Sequence, residues 1–147
     1  MAQLPVPLYF EYYKRTYRID RTPDGGLTGY LYNRSTGGFD RRADLIQKVL
    51  FATSNPEISR LDEDEFIDET ERIRAHYLHG DGPIFALYET IDGLYDQAKS
   101  EGRRLDPEEG ALVDSLRKRT FRMWEEEFAR QAAGEPPSFE YRSDVGG

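Results

Sequence analysis

Aromatic and β-branched residues crowd the segment Leu8-Tyr9-Phe10-Glu11-Tyr12-Tyr13-Lys14-Arg15-Thr16-Tyr17-Arg18-Ile19, and a second such run follows at Leu27–Tyr32. Between them Thr22-Pro23-Asp24-Gly25-Gly26 holds residues that preset a turn or permit positive φ, so the pattern predicts an antiparallel β-hairpin over residues 8 to 33. The first strand does not alternate cleanly. Read as one strand it puts Tyr9, Tyr13, Tyr17 and Ile19 on one face, with Leu8, Phe10 and Tyr12 on the other before Lys14 turns it polar. Its start is therefore expected to be covered on both sides.

Beyond a second turn at Asn33–Gly38 the period lengthens. A helix is predicted from Asp40, with Ala43, Leu45, Ile46, Val49 and Leu50 on one arc and Asn55-Pro56 closing it. The next start is better specified: Asp62 is the N-cap, Glu65 completes a capping box, Leu61 and Phe66 form a hydrophobic staple, and the helix is expected to end at Gly80. A third helix opens at Gly82-Pro83 and carries Ile84, Leu87, Tyr88, Ile91, Leu94, Tyr95 and Ala98 within one arc, with Gly102 as its stop. The fourth begins at Asp106-Pro107-Glu108-Glu109 and runs toward Gly134, about 40 Å at a rise of about 1.5 Å per residue. Its apolar positions, among them Val113, Leu116, Thr120, Trp124 and Phe128, spread wider than one neighbour needs, which raises a homodimer through this helix. The fold expected is α+β: an N-terminal antiparallel hairpin, with room for a third strand, packed on about four helices of which the last is long. Residues 1 to 134 read as a single domain and 135 to 147 as a C-terminal tail, flexible or loosely docked, with Phe139 or Tyr141 available to pin it.

Composition narrows the classes. A chain of 147 residues with 37% hydrophobic and 33% charged positions suits one globular core better than a disordered chain. No apolar run approaches the roughly 18 to 20 residues of a spanning helix. There is no cysteine, which removes disulfides and thiolate chemistry and fits a reducing compartment. The N-terminal residues lack the basic start and apolar stretch of a secretory signal, so a cytoplasmic protein is expected.

The net charge of -8 is unevenly spread. Residues 1 to 60 carry nine Lys/Arg against six acids, a net of +3, and residues 61 to 147 carry 11 against 22, a net of -11. Two surfaces follow as candidates for a partner: Tyr13, Arg15, Tyr17 and Arg18 on the hairpin, and Glu63, Asp64, Asp68 and Glu69 on the second helix, the latter suited to a basic protein. Interleaved tyrosine and arginine on the hairpin also resemble what single-stranded nucleic acid stacks upon. The overall charge opposes phosphate at long range and ranks that below protein binding.

Catalytic signatures are sparse. His76 and His79 lie three residues apart at a helix end, with Asp81 following, a set chemically able to hold zinc or another divalent ion and to support a metal-dependent enzyme. Histidines there equally serve the helix dipole and the free carbonyls. Ser35-Thr36-Gly37-Gly38 lacks the Gly-Lys-Ser/Thr ending of a phosphate loop, and no serine sits in a nucleophile elbow. The function expected is thus a small acidic, cytoplasmic, non-catalytic protein-binding module: an adaptor, chaperone or inhibitor of a basic partner. A metal-dependent enzyme stands second and a nucleic-acid binder third.

Overall fold

The computed structural model describes residues 3 to 145, so the last two residues of the expected tail, 146 and 147, lie outside the described residues. The protein is α+β and forms two compact units, Met1–Ile73 and Arg74–Gly147. Strands β1 (Leu8–Tyr12), β2 (Arg15–Arg21), β3 (Leu27–Tyr32), β4 (Phe39–Arg41) and β5 (Ile58–Leu61) form one antiparallel sheet in the order β4-β3-β2-β1-β5. Where one long first strand was expected, the chain reverses at Tyr13-Lys14 and makes two. The register then sets Leu8 against Ile19 and Phe10 against Tyr17, so residues read as occupying opposite faces share one. On that face Leu8, Phe10, Tyr12, Tyr17, Ile19, Leu31 and Ile58 bury one core beneath Leu45 and Val49.

Those last two residues come from a short 3-10 turn, Ala43–Leu45, and helix α1, Ile46–Leu50. The helix expected from Asp40 starts later because Phe39–Arg41 pairs with β3 instead. The Asn33 side chain accepts from the amides of Ser35 and Thr36 and donates to Asp40, closing a hairpin turn where the pattern predicts a helix start. Gly29 admits a close approach: the Tyr17 ring lies where its Cβ would stand, and the Tyr17 hydroxyl donates to the Arg42 carbonyl at 2.7 Å. The sheet's other face carries the start of α2 (Glu63–Tyr77). Phe66 packs 4.6 Å from Tyr9 and 5.6 Å from Phe39, and Thr70 shares a buried 2.8 Å hydrogen bond with Thr16. The capping box forms as expected, Glu65 N to Asp62 Oδ1 at 2.7 Å and Asp62 N to Glu65 Oε1 at 2.9 Å.

In the second unit α2 ends at Tyr77 rather than Gly80, because Leu78–Gly80 forms strand β6, paired with β7 (Tyr141–Ser143). Helices α3 (Pro83–Ser100) and α4 (Pro107–Ala132) complete it, the latter opened by the Asp106/Glu109 capping box. Trp124, fully buried, donates its indole N–H to Tyr88 at 2.8 Å and is ringed by Phe85, Phe128, Phe139 and Tyr141. The Arg74 guanidinium, also fully buried, faces the rings of Phe121, Trp124 and Phe128. Of the apolar positions of α4, Leu112 stands out in the open at 46% exposure, so most of the width that suggested a dimer is consumed within the chain.

Phe139 and Tyr141 reach Trp124 because the segment before them is held by Glu127. Burial would push this carboxyl up. The Ser138 amide (3.0 Å), the Gln131 side-chain amide (2.7 Å) and Arg130 (2.7 Å) outweigh that and hold it down at about 2. A folded-state value below that of an unfolded glutamate means the stabilisation is complete above the ordinary value near 4.5 and disappears as pH falls toward 2. Acidification from pH 5 to pH 2 is therefore expected to release residues 138 to 145 and expose Trp124, read as a red shift of its fluorescence. Glu127→Gln should lose about 1.5 to 3 kcal/mol at neutral pH and lack that step; a variant as stable as the parent would refute the clamp.

Candidate functional site

The turn between β1 and β2 has two residues, and both have positive φ: 47° at Tyr13 and 64° at Lys14. Two-residue hairpin turns with both centres left-handed match the twist of the strands and are ordinarily written Asn-Gly, because a side chain in that region costs about 1 to 2 kcal/mol. Here an aromatic and a lysine occupy it. The tip is secured from outside the hairpin: the Tyr13 amide donates to the Glu57 carbonyl at 2.8 Å, and Asn55 Nδ2 donates to the Tyr13 hydroxyl at 2.8 Å. Asn55 is itself fixed by accepting from the Glu57 amide. Tyr12 and Tyr13 meet edge to face at 4.8 Å. Helix α1 supplies Lys48, whose ammonium donates to the Tyr12 hydroxyl at 3.2 Å and lies 5.4 Å from each of the two ring centres.

Phe51, the residue after α1, is 76% exposed, the most exposed large apolar side chain among the described residues, and Tyr13 is 39% exposed. Lys14 is exposed and Arg15 half-buried. Burial, then the nearby charge of Arg34, lowers the Arg15 guanidinium below its ordinary range. The Tyr12 hydroxyl has the opposite effect on Lys48 and raises it. The arrangement sets the Lys48 ammonium against the Tyr12 and Tyr13 rings, a surface whose chemistry suits apolar groups against the rings and carboxylates against the cations.

The residues expected at a contact surface part company. Tyr13 and Arg15 stand at the tip. Tyr17 is fully buried, and burial, then Asp44, raises its hydroxyl to about 12, so it is a neutral core donor and not a contact residue. Arg18 lies on the opposite face of the sheet, 5.1 Å from the Tyr30 ring and 3.6 Å from Asp20. Of the α2 acids, Glu63 accepts from the Tyr9 hydroxyl at 3.0 Å and Asp68 pairs with Arg72 at 2.8 Å; Asp64 is exposed and Glu69 half-buried. His76 is exposed with its ring against Tyr77, His79 Nε2 lies 2.5 Å from Asp144 Oδ2, and Asp81 is exposed in the following turn. Among the described residues no group of three or more His, Asp or Glu is placed to hold a metal ion. Lys48, Phe51 and Asn55 had not been marked as contact residues. Their one signal in sequence is Phe51 itself, an aromatic placed just past the last position of an apolar arc.

Comparison of the chain with protein-family models, with curated proteins and with solved structures finds no match. No helix is long and apolar enough to cross a membrane among the described residues.

Because Lys14 holds a left-handed conformation with its side chain in solvent, Lys14→Gly should stabilise the protein by about 0.5 to 1 kcal/mol in chemical denaturation. A loss of stability would mean that the lysine side chain supports the turn.

Proposed function

We propose that this chain is a non-catalytic protein-binding module that uses the β1–β2 tip, with Lys48 of α1 against it and the exposed Phe51 at the end of that helix, to hold a segment of another protein bearing acidic and aromatic side chains. The observation that carries this reading is the tip's backbone: two successive side chains kept in a costly conformation, with the Lys48 ammonium against the Tyr12 and Tyr13 rings. Strain of this kind persists where the surroundings over-determine it and function requires it. Exposed rings framed by Lys14, Arg15 and Lys48 set the partner's chemistry, and they set it opposite to the basic partner suggested by sequence. Of the four α2 acids that favoured a basic partner, Glu63 is engaged with Tyr9 and Asp68 with Arg72, and the neighbouring Asp62 and Glu65 are taken up by the capping box. A nucleic-acid surface gains less support, since Tyr12, Tyr17 and Tyr32 are buried and no exposed row of stacking rings remains on the sheet.

An unstructured peptide carrying several Asp/Glu and two Phe is the probe. Calorimetric titration should give binding that weakens with added salt, and Phe51→Asp or Lys48→Glu should weaken it about tenfold, about 1.4 kcal/mol. Equal or tighter binding of a peptide with Lys in place of Asp/Glu would overturn the proposal.

A further inference from the structure

Between the end of α3 and the start of α4 lies an open recess of about 720 Å³, wholly within the second unit. Its floor is apolar, with Ala98 buried, Leu105 half-buried, and Tyr95 along one side with 41% of its surface in water. The wall is tied together by local bonds. The chain leaves α3 through Gly102 at φ +65°, where the Arg103 amide donates back to the Ala98 carbonyl at 3.0 Å. The Arg103 guanidinium then ties Glu101 (2.9 Å) to Glu109 (2.7 Å), bracing the turn against the first turn of α4, and this bond to Arg103 is the main reason the Glu109 carboxyl falls to about 2.

Two features separate this recess from an ordinary interhelical crevice. Gly110 sits inside α4, where glycine costs about 1 kcal/mol relative to alanine, and a Cβ placed there would meet nothing within 4 Å. Packing thus gives no reason for a glycine, whereas any side chain would occupy the recess. The second feature is charge. In a chain of net charge -8, the lining carries Lys99, Arg103 and Arg104 against Asp96 alone, and Lys99 and Arg104 have no ion-pair partner among the described residues. The volume falls within the range of small-molecule sites, which pair an apolar lining with a few polar groups that fix orientation.

We infer that this recess is a binding site for a small amphiphilic anion: an aromatic or aliphatic body against Tyr95, Ala98 and Leu105, filling the space above Gly110, with its carboxylate or sulfonate held by Lys99 and Arg104. The site is independent of the tip surface, and neither reading depends on the other.

Anilinonaphthalene sulfonate is the probe and phenylnaphthylamine, the same ring system without the sulfonate, its neutral control. The sulfonate should bind the native protein at one site, at least tenfold more tightly than the control, and shift the amide resonances of Ala98, Gly102 and Gly110. Gly110→Leu should abolish that binding while keeping or raising the melting temperature. Lys99→Gln with Arg104→Gln should weaken the sulfonate at least tenfold and leave the control unchanged. Equal binding of the two dyes, resonance shifts elsewhere, or unaltered binding in a folded Gly110→Leu protein would overturn the site.

Discussion

A two-residue reversal at Tyr13-Lys14 governs the first unit. Side chains alternate along a strand, so inserting or removing one residue there would send every apolar side chain of β2 to the wrong face. With two residues in the turn, Tyr17 and Ile19 join Leu8 and Phe10 over one core, and Thr16 takes its place opposite, where it meets Thr70 of α2. Left-handed backbone at both positions permits so tight a loop, and the bonds from Tyr13 to Glu57 and Asn55 hold it. Geometry that builds the core is therefore the same geometry that presents Tyr13 and Lys14 to solvent.

Charge works inward as much as outward. Asp62 with Glu65 and Asp106 with Glu109 close the first turns of the two helices whose N-termini would otherwise leave amides bare. Glu127 holds the chain that carries Phe139 and Tyr141 to Trp124, and Arg103 braces the turn from α3 to α4. A net charge of -8 reads from composition as a surface ready for a basic partner, yet a good share of the acids serve as hydrogen-bond acceptors for the protein's own backbone and side chains. Lys14 at the tip and Lys99 and Arg104 on the α3–α4 recess then stand out as the groups available to something else.

Legibility in the sequence followed the locality of the signal. Both capping boxes, the proline starts of α3 and α4 and the glycine stops after them were readable, because each depends on residues within one turn of one another. The hairpin turn at residues 22 to 26 was readable for the same reason. The reversal at Tyr13-Lys14 was not: neither residue favours positive φ, and only contacts with residues 55 to 57, more than 40 positions away, make the conformation tenable. Strands β4 and β5 were missed because three or four residues carry no period and their pairing is set by neighbours distant in the chain. The tip surface suffered likewise, since Lys48 reaches the Tyr13 ring only after α1 has packed on the sheet.

That the tip is a contact surface, and not only a device for closing the sheet, is the central claim. Its most direct measurement is an amide chemical-shift map of the labelled protein titrated with the acidic, aromatic peptide. Shifts confined to residues 13 to 15, 48 to 51 and 55 are the expected result. Shifts centred on residues 63 to 69 of α2, with the tip unmoved, would contradict the account.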